Sequence, residues 1–570
     1  MTEHDVVVRG GTVVDGTGGA ARTADVALRD GLVVEVGRVA GRGRQELDAN
    51  GAVVTPGFVD VHTHYDGQAT WDEHLQPSSW HGVTSVVAGN CGVGFAPVVP
   101  AHHQRLIDLM EGIEDIPGTA LHEGLPWTWQ TYEEYLGVLG GRRFDIDIGT
   151  QVPHAALRVH VMKERAVAGG DATAEDRAEM ARLAAAAVRA GALGFSTSRT
   201  LNHRSVDGEL TPSYGAGLQE LTEIAAAVGS TGRGVLQMVT DFLDIDVDME
   251  IIRSMVRASG RPLSVSLLQS HFDRDGWRTV LDRIADANAE QLPVRAQVAA
   301  RGVGLVMGLR CTLHPFMTNP VWRDLAALPY DEQVARLARP ETKAAILAAQ
   351  TPEKRTALIG GRLIDKYGLM YEMTDPPDYE PDPATSVGER AVREGRAAAD
   401  LAYDILADGG LLYVFTANWE ERNLDPVREM LADPWTLPGL SDGGAHVGSI
   451  CDGSFPTTLL QHWGRDRTAG GLGLEFLVSR QCRETAAAVG LADRGVLAPG
   501  YRADLNVIDL DNLRLRRPEV HDDLPGGGHR LLQRAEGYRH TFVAGVETYR
   551  DGQETGALPG RLIQGPTSVR

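Results

Sequence analysis

Eight apolar runs, separated by helical or glycine-rich stretches, dominate the middle of the chain. In chain order they read GFVDVHTH, GVTSVVAG, FDIDIGTQV, GALGFSTS, RGVLQMVT, PLSVSLLQ, LPVRAQVA and TLPGLSDG. The helical pattern between them is clearest in DATAEDRAEMARLAAAAVRAG, where Asp171 or Thr173 can cap the start and Gly191 marks the end. Strands that alternate with helices in this way predict an α/β fold, specifically a (β/α)8 TIM-like barrel.

Short alternating strands also occur at both ends of the chain. DVVVRGGTVVDG, ADVALRDGLVVEVG and GAVVTPG lie within residues 5–55, and RADLNVIDLDNLRL and HTFVAGVETYRDGQE lie near the other end. We expect residues 1–55 and 496–555 to pair into one discontinuous β-sandwich, with the barrel at 56–495 and a C-terminal tail at 556–570. Residues 310–400, rich in proline and aromatic residues, fit the barrel repeat poorly. They are predicted to form an insertion, as a lid or subunit contact, above the seventh strand.

Composition narrows the class of protein. The 570 residues are 43% hydrophobic and 23% charged, as in ordinary globular proteins, and the formal net charge is −22. Such a charge disfavours binding to nucleic acid or to an anionic membrane surface. Four cysteines without scaffold or CxxC spacing, together with no visible signal peptide or membrane span, predict a cytoplasmic protein. A homodimer is left open.

Two histidines and one aspartate are the main candidates for chemistry. His62 and His64 end the first apolar run, and alternate residues of a strand point to the same side. Two neutral imidazoles suit a divalent metal, although an HxH pair also fits hydrogen-bonded structural histidines. Catalytic residues of such barrels lie where the strands end, and Asp442 lies at the end of the eighth run, at the same rim. A carboxylate there can be both metal ligand and general base.

Five segments make the chain similar to a known family. They are HTHYDGQATWD at 62–72, GVTSVVAGNCG at 82–92, SDGGAH at 441–446, GVLAPGYRADLNVID at 495–509 and TGALPGRLIQG at 555–565. With the predicted barrel and sandwich, they resemble the amidohydrolase superfamily, and within it the N-acyl-D-amino-acid deacylase (D-aminoacylase) branch. The resemblance implies zinc-dependent hydrolysis of a C–N amide bond other than a peptide bond, with release of a carboxylic acid and an amino acid.

The resemblance also implies a set of metal ligands, from which the chain partly departs. Cys91 matches a cysteine that ligates zinc or bridges two metal sites in that family, the alternative being a small buried hydrophobe. Members with a tightly held zinc carry histidines at the fifth and sixth strand ends, where this chain reads GVLQMVTDF and PLSVSLLQSHF. We therefore expect one zinc ion, or another divalent metal, on His62, His64 and Asp442, with Cys91 as a fourth ligand. Loss of the metal is the alternative.

Four further residues are candidates for substrate binding. His154 and Arg158, in QVPHAALR after the third strand, match a family segment, and a guanidinium can bind a carboxylate by two parallel hydrogen bonds. Arg158 can equally pair with one of the protein's own acidic residues. His203 lies in the loop after the fourth strand, and His446 follows Asp442 closely enough to contact substrate or orient the aspartate.

The function expected from these residues is hydrolysis of an N-acyl (D-)amino acid or a related amide. A metal-activated water attacks the amide, and Asp442 serves first as general base and then as general acid. Two alternatives remain open. One is a non-hydrolytic enzyme of the same fold that rearranges a C–N or C–C bond, and the other is a catalytically silent protein that binds a small molecule.

Overall fold

The computed structural model describes residues 3–349 and 360–569. The chain begins in five strands, β1 (His4–Val13), β2 (Arg22–Arg29), β3 (Leu32–Gly37), β4 (Gly43–Asp48) and β5 (Val53–Pro56). Strand β1 pairs antiparallel with β2 and parallel with both β4 and β5. Exposed and covered residues alternate along β4, as expected of a strand with one face in solvent.

The next strands form a closed barrel. They are β6 (Phe58–Asp60), β7 (Val83–Ala88), β8 (Asp147–Pro153), β9 (Gly194–Arg199), β10 (Val235–Thr240), β11 (Leu263–Leu267), β12 (Val294–Val298) and β16 (Thr436–Pro438). They lie side by side in this order, each parallel to the next. A parallel bridge between Thr63 and Gly443 joins the last strand to the first. The eight apolar runs are these eight strands, which confirms the predicted fold class.

Helices connect the strands and cover the barrel. They are α1 (Gln68–Trp71), α2 (His103–Glu114), α3 (Gly118–Gly124), α4 (Tyr132–Gly140), α5 (His154–Met162), α6 (Glu164–Val167), α7 (Ala174–Ala190), α8 (Leu218–Gly229), α9 (Ile245–Ser259), α10 (Gly276–Ala289), α11 (Pro320–Ala326), α12 (Tyr330–Leu337), α13 (Pro340–Ala348), α14 (Val387–Glu394), α15 (Ala398–Ala407), α16 (Asp425–Ala432), α17 (Phe455–Thr458), α18 (Leu474–Ser479) and α19 (Thr485–Ala488). Thr173 caps the start of helix α7, in a capping box with Asp176, and Gly191 is the residue that caps its C-terminal end. No helix among the described residues is both long and apolar enough to cross a membrane.

The segment between β12 and β16 contains a small sheet of its own. Strands β13 (Val303–Met307), β14 (Met370–Glu372) and β15 (Leu412–Ala417) pair antiparallel in the order β13-β15-β14. Residues such as Met307, Trp322 and Val414 form a hydrophobic cluster within this segment. The insertion predicted at 310–400 did not include β13 or β15, and its residues 350–359 lie outside the described part of the chain. Its role as a lid or subunit contact stays a prediction.

The C-terminal strands return to the sheet formed at the N-terminus. They are β17 (Leu505–Ile508), β18 (Arg514–Leu515), β19 (Glu519–Leu524), β20 (Gly528–Leu532), β21 (Ala535–Glu536), β22 (Tyr538–Val543), β23 (Val546–Arg550) and β24 (Gln553–Glu554). Strand β17 lies between β5 and β22, so strands from both ends share one sheet. In the tail, Gly560 and Leu562 form bridges to Phe144 and Ile148 beside the barrel. The domain boundaries given above stay a prediction.

Candidate metal centre and active site

The first barrel strand brings His62 and His64 to its carboxyl end, where each is 1% exposed. His62 Nδ1 lies 2.5 Å from Gln297 Oε1, and the Gln297 amide nitrogen donates to Ser264 Oγ at 2.9 Å. Because the amide oxygen can only accept, His62 carries its proton on Nδ1, and the lone pair of Nε2 is free to bind a metal. Gln297 on β12 therefore orients His62, which lies just after β6.

Cys91 faces the same place from the end of β7. Its Sγ lies 3.2 Å from His62 Nε2, and its backbone N–H donates to Gln237 Oε1 at 3.0 Å. The following Gly92 has φ +67°, and a Cβ there would lie 2.8 Å from Thr197 Cα, so only glycine fits this close approach. Burial raises the pKa of the Cys91 thiol to about 12, whereas zinc deprotonates a thiol that it binds.

Asp442 closes the cluster from the end of the eighth strand. Its Oδ1 lies 3.3 Å from His62 Nε2 and 3.6 Å from His64 Nε2. Burial opposes its ionisation, but the nearby imidazoles of His62 and His64 outweigh burial and hold the pKa of Asp442 below its usual range. Its side chain is 23% exposed, in contrast to the two buried histidines. An ionised carboxylate is thus reachable from solvent beside the imidazoles.

These donors fit a zinc ion. One ligand atom each from His62, His64 and Cys91 lies within 4.8 Å of the others, and they form the one group of this kind found among the described residues. Imidazole nitrogen, thiolate sulfur and carboxylate oxygen are the donors that zinc prefers. The neighbouring strands add no histidine: Gln237 occupies β10, and the Gln269 side chain is engaged by the backbone of residues 274 and 420. The metal assignment itself stays a proposal.

Two predicted substrate residues lie near this cluster. His203 Nδ1 is 2.8 Å from Ser198 Oγ, at the end of β9. Burial is the main cause that lowers the pKa of His203 to about 3. The charge of His64 also lowers this pKa, whereas the charge of Asp442 raises it. His446 has φ +49°, and burial lowers its pKa to about 4. Both imidazoles are therefore neutral at pH 7 and able to donate or accept a hydrogen bond.

The structure does not bring Arg158 and His154 to the cluster. Helix α5 begins at His154, directly after β8. Arg158 Nη1 donates to both carboxylate oxygens of Glu220, at 2.7 and 2.8 Å, and Nη2 donates to the Gly170 carbonyl at 2.7 Å. His154 Nε2 lies 2.9 Å from Glu220 Oε1. The carboxylate that Arg158 binds is the protein's own, the alternative that the sequence left open, and substrate contact by His154 and Arg158 stays a prediction that this geometry does not favour.

The direction of the side chains on β9 explains why His154 lies away from the cluster. His154 Nδ1 lies 2.8 Å from Thr197 Oγ1, whereas the next residue, Ser198, contacts His203. Successive residues of a strand point to opposite faces. His154 therefore packs on the face of β9 that is covered by helices, away from the face that contacts His203.

A carboxylate that the sequence reasoning missed lies behind the histidines. Glu114, the last residue of α2, is 1% exposed; its Oε1 is 3.4 Å from His64 Nδ1 and its Oε2 is 3.5 Å from His446 Nε2. Burial raises the pKa of Glu114 to about 7. The available signal was periodicity, since Glu114 stands four residues after the buried Met110, on the apolar side of the helix.

Comparisons with known proteins agree with this geometry. The family model described as "Amidohydrolase family" matches residues 45–554. The chain is 26% identical to the D-aminoacylase of Alcaligenes xylosoxydans xylosoxydans, over 98% of this chain and 97% of that protein. It is 28% identical to the N-acyl-D-glutamate deacylase of the same organism, over 99% and 97% of the two chains.

Solved structures show the same fold. A crystal structure of D-aminoacylase aligns with a TM-score of 0.65 at 24% identity, over 98% of this chain and 100% of that one. The zinc- and phosphonate-bound N-acyl-D-glutamate deacylase of Bordetella bronchiseptica aligns with a TM-score of 0.66 at 23% identity, over 98% and 99%. The family model and the two relatives confirm the resemblance seen in the sequence. The chain belongs to the amidohydrolase family.

Proposed function

We propose that the protein is a metal-dependent amidohydrolase that cleaves the C–N amide bond of an N-acyl amino acid, with D-amino acids as the first candidates. The main support for this proposal is the buried cluster of His62, His64 and Cys91, with the carboxylate of Asp442 beside it, at the carboxyl end of the barrel strands. Relatives that align over nearly the whole chain are named D-aminoacylase, N-acyl-D-glutamate deacylase and N-acyl-D-aspartate deacylase, which supports this substrate class.

The proposed site holds one zinc ion, or another divalent metal, per chain. His62, His64, Cys91 and Asp442 would hold it, and glutamine at position 237 is a poor zinc ligand. A solved D-aminoacylase structure is described as having a binuclear metal centre, with activation by one metal and attenuation by a second. On β10, Gln237 accepts a hydrogen bond from the Cys91 backbone N–H. Because this glutamine is not a histidine ligand, its presence supports a single metal in this protein.

In the proposed hydrolysis, Asp442 and Gln297 have separate roles beside the metal. Zinc in such a donor set lowers the pKa of water towards neutrality and polarises a carbonyl group. Asp442 accepts the proton that the attacking water releases and returns it to the leaving nitrogen. The carbon gains an oxygen from water as its bond to nitrogen breaks, so the products are a carboxylate and an amine. Gln297 keeps His62 in the tautomer that presents Nε2.

His203 and His446 are proposed to contact the substrate. Both are neutral, and the Nδ1 atom of His203 is already held by Ser198, which leaves its Nε2 for the bound molecule. Neutral His203 can donate a hydrogen bond from Nε2 to a carbonyl or carboxylate oxygen without placing a second positive charge beside the metal. His446, whose Nε2 faces Glu114, offers its Nδ1 as an acceptor.

The surroundings in which the enzyme acts are also proposed. Cys91, Cys311, Cys451 and Cys482 form no disulfide, which suits a reducing compartment, and we propose the cytoplasm. A small molecule is the proposed partner; nucleic acid and membrane surfaces are disfavoured by the net charge of −22. A homodimer stays a prediction.

The test is hydrolysis of N-acyl-D- and N-acyl-L-amino acids in ¹⁸O-labelled water, with products identified by mass spectrometry. We expect one labelled oxygen in the released carboxylate, and at least about a 10²-fold loss of kcat/KM in Asp442→Asn, the range that general acid–base groups supply. Asp246→Asn, an exposed aspartate on α9, is the control and should retain full activity. Product without label would indicate the non-hydrolytic alternative. Ligand binding without turnover would indicate the silent binding protein.

A further inference from the structure

The surroundings of Glu114 disfavour an ionised carboxylate. Glu114 is buried at the C-terminal end of α2, where the last carbonyls of the helix carry partial negative charge, so neither water nor the helix favours its carboxylate. Its two oxygens face one nitrogen each, His64 Nδ1 at 3.4 Å and His446 Nε2 at 3.5 Å. Its backbone carbonyl also accepts a hydrogen bond from the His446 N–H.

Two facing atoms in this arrangement lack a hydrogen bond within the described part of the chain. They are His64 Nδ1 and Glu114 Oε1, both fully buried. An unsatisfied buried polar atom costs about 1–3 kcal/mol, and such atoms in native proteins need an explanation. A shift of a few tenths of an ångström would join the two atoms, and hydrogen bonds in active sites often tighten only in the assembled complex.

The turn after Glu114 is held firmly on both sides. Asp115 has φ +50° and its carboxylate accepts hydrogen bonds from Thr312 Oγ1 at 2.9 Å and Ser449 Oγ at 2.7 Å. Thr312 belongs to the insertion, and Ser449 belongs to the loop that follows Asp442. The end of α2 is thereby fixed against the two loops that border the cluster, so the Glu114 carboxylate is presented rigidly.

We propose that Glu114 is a positioning residue that accepts the Nδ1 proton of His64 and the Nε2 proton of His446. With its proton on Nδ1, His64 would keep the lone pair of Nε2 for the proposed metal, as His62 does through Gln297. A carboxylate behind a ligating histidine fixes its tautomer and makes it a stronger ligand. The proposal deepens the proposed function and rests on its metal site.

The experiment compares the wild-type protein with Glu114→Gln, which keeps the size of the side chain but cannot accept from both histidines. The probe is Co²⁺, titrated into metal-free protein in competition with a chelator. We expect about 10–100-fold weaker binding in Glu114→Gln, the range seen when such outer partners are lost. Glu220→Gln is the matched control, because Glu220 is also buried and paired with a histidine, His154, outside the cluster. It should bind Co²⁺ as the wild type does.

A second readout does not need the metal. In ¹⁵N-histidine NMR spectra of metal-free protein, the His64 Nδ1 should be protonated in the wild type, and part of the population should lose that proton in Glu114→Gln. The His64 signal is assigned with His64→Gln. If Glu114→Gln fails to fold, Glu114→Asp replaces it: the shorter carboxylate reaches one histidine only, and binding should be intermediate.

The outcomes separate the two proposals. Weaker Co²⁺ binding together with the altered His64 signal supports the positioning role. Co²⁺ affinity and a His64 signal equal to those of the wild type in the Glu114 variant overturn it, while leaving the metal site intact. A wild-type protein that binds no Co²⁺ refutes the metal site instead, and the NMR comparison then decides the role of Glu114 alone.

Discussion

Replacing Arg158 by methionine is expected to weaken the fold and leave catalysis unchanged. Arg158 is 2% exposed and donates to both oxygens of Glu220 and to the Gly170 carbonyl. Methionine keeps much of the volume but leaves the Glu220 carboxylate, which is 4% exposed, with the His154 Nε2 contact at 2.9 Å in place of the ion pair. Removing one member of a buried ion pair costs about 3–5 kcal/mol, so we expect a loss of that size in the free energy of unfolding.

Urea unfolding and steady-state kinetics measure the two effects separately. The double variant Arg158→Met/Glu220→Leu removes both charges and should recover part of the lost stability, because apolar residues can replace a buried ion pair at little cost. At a temperature where all the proteins are folded, kcat/KM of Arg158→Met should equal that of the wild type. A large fall in kcat/KM with unchanged stability would refute the structural role and return Arg158 to the substrate site.

Three further substitutions test other parts of the structure. Gln297→Leu removes the acceptor of the His62 Nδ1 proton, so metal affinity in a chelator competition should fall about 10–100-fold; unchanged affinity would contradict the tautomer argument. Gly92→Ala places a Cβ 2.8 Å from a neighbouring backbone atom at φ +67°, which should cost roughly 1–3 kcal/mol in urea unfolding and lower the metal content through the adjacent Cys91. Thr173→Ala removes the cap of α7 and should cost about 1 kcal/mol without changing kcat/KM.

The barrel could be predicted because its strands are buried on both faces. Such strands are rich in apolar residues, and all residues of β7 and β8 are indeed buried. The insertion was harder to delimit, because β13 and β15 are apolar strands too. Their assignment to a separate sheet depends on antiparallel pairing between segments far apart in the chain, which local pattern does not encode.

The candidate ligands were predictable because each lies within a few residues of the end of a barrel strand. The carboxyl ends of parallel strands meet at one rim, which places His62, Cys91 and Asp442 together without knowledge of the side-chain contacts. Glu114 lies on a helix in a long connection, and its approach to the histidines depends on how that helix packs. The sequence left Arg158 open between substrate and an internal acid, because the local pattern does not show that α5 starts at once after β8 and turns this side chain towards Glu220.

A single metal ion on His62 and His64 is the central claim, and elemental analysis of protein purified without added metal tests it most directly. We predict about one zinc ion per chain in the wild type, as in single-metal hydrolytic sites, and none in His62→Ala/His64→Ala. Circular dichroism should show that the double variant is folded. Wild-type protein with no more divalent metal than the double variant, even after reconstitution with zinc, would contradict the claim.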